Sequence, residues 1–230
     1  MSPSTQVERV GHRGAPRDAL ENTLPSFARA LELGADAIEL DVHLSGDGVV
    51  VVHHDDAVGP RAIRSTPWSI LQAVDLGGGA RIPRLQDVLT LVGDRAAVYI
   101  ELKGRDVEDP AIDIARRFGR RFAVHAFDHA TIERVAVAAP DVPRGVLLDE
   151  GIRASVATMR NAVSRTGARD VWPHWSLVDA SLMAAAQALG VRIIVWTVNT
   201  PERALAPASA AAKSNRTGRR AEPSTAARYR

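Results

Sequence analysis

The sequence predicts an α/β fold, a parallel barrel of strand–helix units with a β-hairpin insertion and one strand short of the usual eight. Three observations lead there. Short apolar runs alternate with segments of helical period, which argues for strands joined by crossover helices. The run Val191–Val198 is almost continuously apolar, as in strands covered on both faces. The 230 residues, 46% of them hydrophobic, are enough for one such domain with a real core.

In chain order, residues Val7–Gly11 are predicted to open the sheet. A helix over Leu24–Leu33 follows, with Asn22 or Thr23 as its cap and Pro25 tolerated in its first turn. Ala37–Val42 is the second predicted strand. The link Leu44-Ser-Gly-Asp-Gly48 is too short for a parallel crossover and rich in turn formers. Val49–His53 is therefore expected to return antiparallel, laying His53–Asp55 beside Glu39–Asp41. The stretch from about 43 to 84 reads as an insertion. Its Gly77-Gly-Gly79 lacks the Gly-Lys-Ser/Thr ending of a phosphate loop and reads as a flexible joint.

The alternation then resumes. Helices are predicted over Leu85–Val92, Asp113–Phe118, Ala130–Ala138, Ile152–Val163 and Ala180–Leu189. Strands are predicted over Ala97–Leu102, Ala123–Phe127, Gly145–Leu148, Asp170–Trp172 and Val191–Val198. Setting the hairpin return aside leaves seven parallel strands. The barrel is thus expected over residues 1–203. Residues 204–230, rich in Ala, Arg and Ser and without an apolar face, are expected to be a disordered basic tail.

The charge distribution narrows the function. Net charge is +2, yet the tail alone holds Lys213, Arg216, Arg219, Arg220, Arg228 and Arg230 against Glu222. The body is therefore net negative, and no nucleic-acid partner is expected for it. The chain has no Cys, which excludes disulfides and thiolate metal sites. No apolar run reaches the roughly 18–20 residues of a membrane span. The first residues lack the basic-then-apolar order of an export signal, so a cytoplasmic protein is expected.

Several strand ends carry chemistry. Glu39-Leu40-Asp41 puts two carboxylates on one strand face, which is costly in an apolar barrel without a cation; solvated acids on a surface-edge strand are the other reading of this pair. Hard oxygen donors point to Mg²⁺ or Ca²⁺. Glu101-Leu102-Lys103 repeats the spacing, so Glu101 could complete a three-carboxylate set. Lys103 is the one lysine of an arginine-writing body and would meet phosphate as a compact charge. Arg13, beside Gly14, offers a guanidinium fork to the same anion. His12 and one of His53 and His54 could form a general acid–base pair, with Asp55 orienting the imidazole. His174 and Trp196, at later strand ends, could face a ligand, though core packing explains them as well.

Taken together, His12-Arg13-Gly14, Glu21-Asn22-Thr23, Glu39-Leu-Asp41-Val-His-Leu, His54-Asp55, Ile100-Glu101-Leu-Lys103, Ala126-Phe127-Asp128 and Trp196-Thr-Val-Asn199 follow one another as in the glycerophosphodiester phosphodiesterase family. The chain resembles that family from about residue 7 to residue 201. The resemblance implies a TIM (β/α)8 barrel with a small insertion. It also implies hydrolysis of glycerophosphodiesters to sn-glycerol 3-phosphate and an alcohol with one divalent cation. It selects His54 over His53 as the second catalytic histidine beside His12. Glu39, Asp41 and Glu101 match metal ligands, and Arg13 and Lys103 match phosphate-binding positions. Glu21, Asp55 and Phe127 fall near the family's site, as substrate-pocket or supporting residues.

The sequence also departs from the family pattern. Ala57-Val-Gly-Pro-Arg61 replaces the usual Arg-Thr-Thr, and Ala126 replaces a Ser. No Gly-Val-Asp strand follows Arg203, as if the reading frame were lost near Leu205 and the last strand were missing. An open barrel of that kind is expected to be unstable or to self-associate. Two other readings follow: an impaired enzyme that keeps the phosphate site, and a lipid phosphodiesterase of the sphingomyelinase D kind. The second shares the His-Arg-Gly-like and Glu-x-Asp elements.

Overall fold

The computed structural model describes residues 8–119, 121–150 and 156–198. Their contacts divide into two compact units. One runs from Val10 to Val124; the other joins the described residues before Val10 to those from His125 onward. Across the two, seven strands alternate with helices in the β/α manner of a TIM-type barrel. No eighth such strand occurs among the described residues.

The first unit is organised around β2 (Ala37–Leu44), flanked in parallel by β1 (Val10–His12) and β6 (Ala97–Leu102). Register sets Leu40 opposite Ile100 and Asp41 opposite Glu101. Because strand side chains alternate, the aliphatic pair and the acidic pair take opposite faces. Leu40 and Ile100 are fully buried, together with Phe27 of α1 (Leu24–Glu32) and Leu85 and Leu89 of α3 (Leu85–Val92). Thr23 caps α1, its hydroxyl accepting from the Ser26 N–H.

The hairpin forms as expected. β3 (Val50–Val52) returns antiparallel on β2, pairing Val51 with His43. The segment after it holds a small ladder of β4 (Ala57–Val58) and β5 (Arg61–Ala62), then the short helix α2 (Trp68–Leu71). Val51, Val58, Ile63, Leu71 and Ile82 give this insertion an apolar cluster of its own. The expected joint at Gly77-Gly-Gly79 is a tethered turn instead, because the Asp75 carboxylate accepts from the N–H groups of Gly77 (2.9 Å) and Gly79 (3.2 Å). α4 (Glu108–Phe118) ends this unit's helices, and β7 (Phe122–Ala126) falls at the division.

In the second unit α5 (His129–Ala138), α6 (Val156–Thr166) and α7 (Ala180–Leu189) accompany β8 (Arg144–Leu148), β9 (Asp170–Pro173) and β10 (Arg192–Ile193). β9 pairs in parallel with both β8 and β10.

Two expected elements differ in extent. Helix α4 starts at Glu108 rather than Asp113. Pro110 sits in its first turn, where the missing N–H has no helical acceptor to lose. The strand expected over Val191–Val198 is regular only at Arg192–Ile193. Farther on, the backbone still bonds β9, from the Ile194 N–H to the Val171 carbonyl at 2.9 Å and from the Trp196 N–H to the Pro173 carbonyl at 3.2 Å, while the Trp196 indole N–H takes the Trp172 carbonyl at 2.9 Å. His174 and Trp196 are left as an isolated bridge. Val7, the start of the helix expected from Ile152 and the tail over 204–230 lie outside the described residues.

Candidate active site

The C-terminal ends of β1, β2 and β6 carry the polar residues of the first unit. Glu39, Asp41 and Glu101 are all buried, and their shared face follows from the register that pairs Asp41 with Glu101. Carboxylate oxygens of Glu39 and Glu101 come within 4.8 Å of one another. Burial first, and the neighbouring Asp41 charge second, push the Glu39 carboxyl well above its ordinary pKa. Burial works the same way on Asp41, but Lys103 and Arg13 outweigh it and hold this carboxyl below the usual aspartate value.

Two cations close on these acids. Lys103 Nζ lies 3.4 Å from Asp41 Oδ1 and 3.6 Å from Glu101 Oε1. Arg13 Nε lies 3.2 Å from Asp41 Oδ2, and its Nη1 meets Glu21 Oε1 at 2.9 Å. Burial opposes the Arg13 charge, yet Asp41 and Glu21 more than restore it, so its pKa is raised. Arg13 has a left-handed backbone (φ 56°), and its N–H donates to the Glu39 carbonyl at 3.0 Å. His12 Nε2 is 3.9 Å from Glu39 Oε2.

The other histidine arrives on the hairpin. The last ladder bond runs from the His53 N–H to the Asp41 carbonyl at 3.1 Å, and β3 itself ends at Val52. His53 and His54 are therefore past the strand, and strand alternation does not sort them as the sequence reading supposed. They are sorted by their partners instead. His53 is half-buried against the Ala57 backbone, and burial lowers its pKa. His54 Nδ1 bonds Asp55 Oδ1 at 2.7 Å.

Two residues of this cluster carried no role in the sequence reading. Asn22, read as a helix cap, is buried and donates from Nδ2 to Asp41 Oδ2 at 2.7 Å. Its N–H donates to the Arg13 carbonyl, which fixes the loop around both residues. His43 continues the period-two series of Glu39 and Asp41, and its Nε2 lies 3.2 Å from the His54 carbonyl oxygen. Periodicity placed His43 on the right face; nothing in the sequence showed its partner.

The acid set suits a divalent cation. Three buried oxygen-donor side chains on one face repel one another, and Asp41 Oδ1 is buried without a hydrogen bond. Glu39 and Glu101, whose oxygens approach within 4.8 Å, are the acids a doubly charged ion would bridge, while Asp41 Oδ1 faces Lys103 at 3.4 Å.

Phe127, His174 and Trp196 belong to the second unit, where they gather. Phe127 and His174 each meet the Trp196 ring edge-on, at 5.4 Å and 5.2 Å between centroids. His174 Nδ1 also lies 2.7 Å from Glu150 Oε1.

A family model for the glycerophosphoryl diester phosphodiesterase family matches residues 12–219, past the point at Pro201 where the sequence resemblance had ended. The chain belongs to the glycerophosphoryl diester phosphodiesterase family. Among family relatives, a glycerophosphodiester phosphodiesterase from Caldanaerobacter subterraneus subsp. tengcongensis is 32% identical over 213 residues, covering 84% of this chain and 86% of that protein. The crystal structure of a glycerophosphodiester phosphodiesterase from Thermotoga maritima is similar at a TM-score of 0.76 and 28% identity, over 88% of this chain and 91% of that one. One from Agrobacterium tumefaciens gives 0.79 and 26%, over 97% and 95%. As a member of this family the chain is a phosphoric diester hydrolase. No helix among the described residues is long and apolar enough to cross a membrane.

Proposed function

We propose that this family member hydrolyses glycerophosphodiesters to sn-glycerol 3-phosphate and an alcohol, using one divalent cation and two histidines. The observation that carries the reading is the meeting of three buried carboxylates with Arg13 and Lys103 at adjacent strand ends, His12 and His54 beside them. Glu39, Asp41 and Glu101 would hold Mg²⁺ or Ca²⁺. The ion, when bound, supplies charge that polarises the phosphoryl group.

The protein's own groups do the rest. Arg13 and Lys103 receive the phosphate, and Glu21 and Asp41 hold the Arg13 fork in place. His12 acts as base or nucleophile, and His54 protonates the departing alkoxide. The Asp55 bond at Nδ1 supports the second role, because it leaves Nε2 as the nitrogen that exchanges the proton. Phe127, His174 and Trp196 enter the reading as pocket residues, supported by their edge-packed rings, of which that of Phe127 is exposed and the other two half-buried. A barrel over 1–203 with an insertion at about 43–84, a place in glycerophosphodiester and lipid turnover, a cytoplasmic setting and self-association belong to the same reading.

The test is hydrolysis of glycerophosphocholine by purified protein. Release of glycerol 3-phosphate should stop with EDTA and return with Mg²⁺ or Ca²⁺. His12→Ala and His54→Ala should each lower kcat by about 10²–10⁴-fold while the melting curve stays near wild type. EDTA-resistant turnover would remove the cation from the reading. A folded protein without turnover would favour the impaired-enzyme alternative.

A further inference from the structure

We infer that His43 is a positioning residue for His54, aiming its imidazole at the departing oxygen by holding its backbone carbonyl. The inference rests on the proposed acid role of His54 and extends it to a residue outside the catalytic set. The β2–β3 ladder pairs Val42 with Val52 and His43 with Val51, and its last bond is the one from the His53 N–H to Asp41. One residue later the chain has left the ladder, so no backbone donor of β2 meets the His54 carbonyl. His43 Nε2 meets it instead, at 3.2 Å. A carbonyl oxygen only accepts, so this contact places the His43 proton on Nε2.

Burial makes that bond matter. His43 is 8% exposed on a strand whose other residues are nearly all buried, a place where an imidazole is tolerated only when it is bonded. On its other edge the ring faces the loop after β6: a β-carbon at Gly104 would lie 3.8 Å from His43 Nδ1. The ring thus stands between the segment bearing His54 and the one bearing Lys103. The His54 side chain is held from the opposite end by Asp55. The carbonyl and the ring of His54 each have a partner, which together favour one orientation of the imidazole.

The experiment compares two substrates that differ in their need for an acid. Choline leaves glycerophosphocholine as a basic alkoxide, whereas p-nitrophenolate leaves the corresponding nitrophenyl ester without a proton. His43→Leu should lower kcat on the choline ester by about 10–100-fold, with KM within about twofold, and lose at least tenfold less on the nitrophenyl ester. His54→Ala should show the same preference, more strongly. His43→Gln sets an amide nitrogen near the Nε2 position and should recover to within about threefold of wild type. Equal losses of His43→Leu on both esters would overturn the inference, as would a Gln variant no better than Leu. Should the Leu variant not fold, His43→Asn replaces it: its amide stops near the Nδ1 position and should behave as Leu does. If His54→Ala itself shows no substrate preference, the acid role of His54 fails, and the positioning role of His43 fails with it.

Discussion

At Gly14 the constraint is steric rather than electronic. The structure shows what a side chain there would cost. Its φ is +92°, and a β-carbon there would stand 2.4 Å from Ser26 Oγ. Ser26 is the residue that ties the start of α1 to the loop, donating to the Arg13 carbonyl at 3.1 Å and accepting from the Ala15 N–H at 2.9 Å. Gly14→Ala should therefore cost about 2 kcal/mol or more, through left-handed strain and displacement of Ser26. In a protein of this size that lowers the melting midpoint by roughly 4–8 °C. Thermal melting by circular dichroism measures it, and an unchanged midpoint would show that the loop has room to spare. Arg13, Glu39, Asp41, Glu101 and Lys103 were legible as residues because charge in an apolar strand has few explanations. Asn22 and His43 were not. Each makes its telling contact with a residue far along the chain, and their types are equally at home as a helix cap and a strand histidine.

At the level of elements, strands were legible where packing dictates a period and less so where pairing thins to single backbone bonds. Ala97–Leu102 and Leu85–Val92 form as expected, since every second or every third-to-fourth residue there is apolar and buried. β10 is regular over only two residues, although single backbone bonds carry its contact with β9 on to Trp196, a distinction no window of sequence displays. Helix α7 was fully legible, for reasons that can be tested. Asp179 caps it, accepting from the Leu182 N–H at 2.8 Å, and Gly190 closes it in the left-handed conformation (φ 68°). Asp179→Ala should cost about 1 kcal/mol (range about 0.5–2) by leaving first-turn N–H groups to solvent. Urea unfolding gives the number. A loss below a few tenths of a kcal/mol would mean that packing of Leu182, Ala185 and Ala186 alone sets the helix.

For the molecule as a whole, the sequence told strands from helices and marked the charged residues that the first unit brings together, but not the division at β7. The strand–helix alternation runs through that point without a break in composition, and the division lies in which elements touch. The distribution of bonded aspartates has a consequence at this scale. Asp47 is held below its ordinary pKa by the Ser45 hydroxyl and the Trp68 N–H, and Asp75 by the N–H groups of Gly77 and Gly79. Asp179 is held down by the Leu182 N–H and the Ser181 hydroxyl, and Asp55 by His54. A carboxyl whose folded pKa lies below its unfolded value of 3.8 stabilises the fold fully above that pH. The contribution disappears as pH falls through the folded value, because protonation removes the acceptor. All four act in the same direction. The melting midpoint should therefore fall as pH is taken from about 4 towards 2; above that window Glu39, whose folded pKa is raised, acts in the opposite direction. Replacing Asp75 and Asp179 by Asn should lower the midpoint at pH 7 and flatten the acid limb, since the two carboxylates would no longer be there to protonate. A midpoint that holds or rises on acidification would mean that these loops and caps open without loss to the fold.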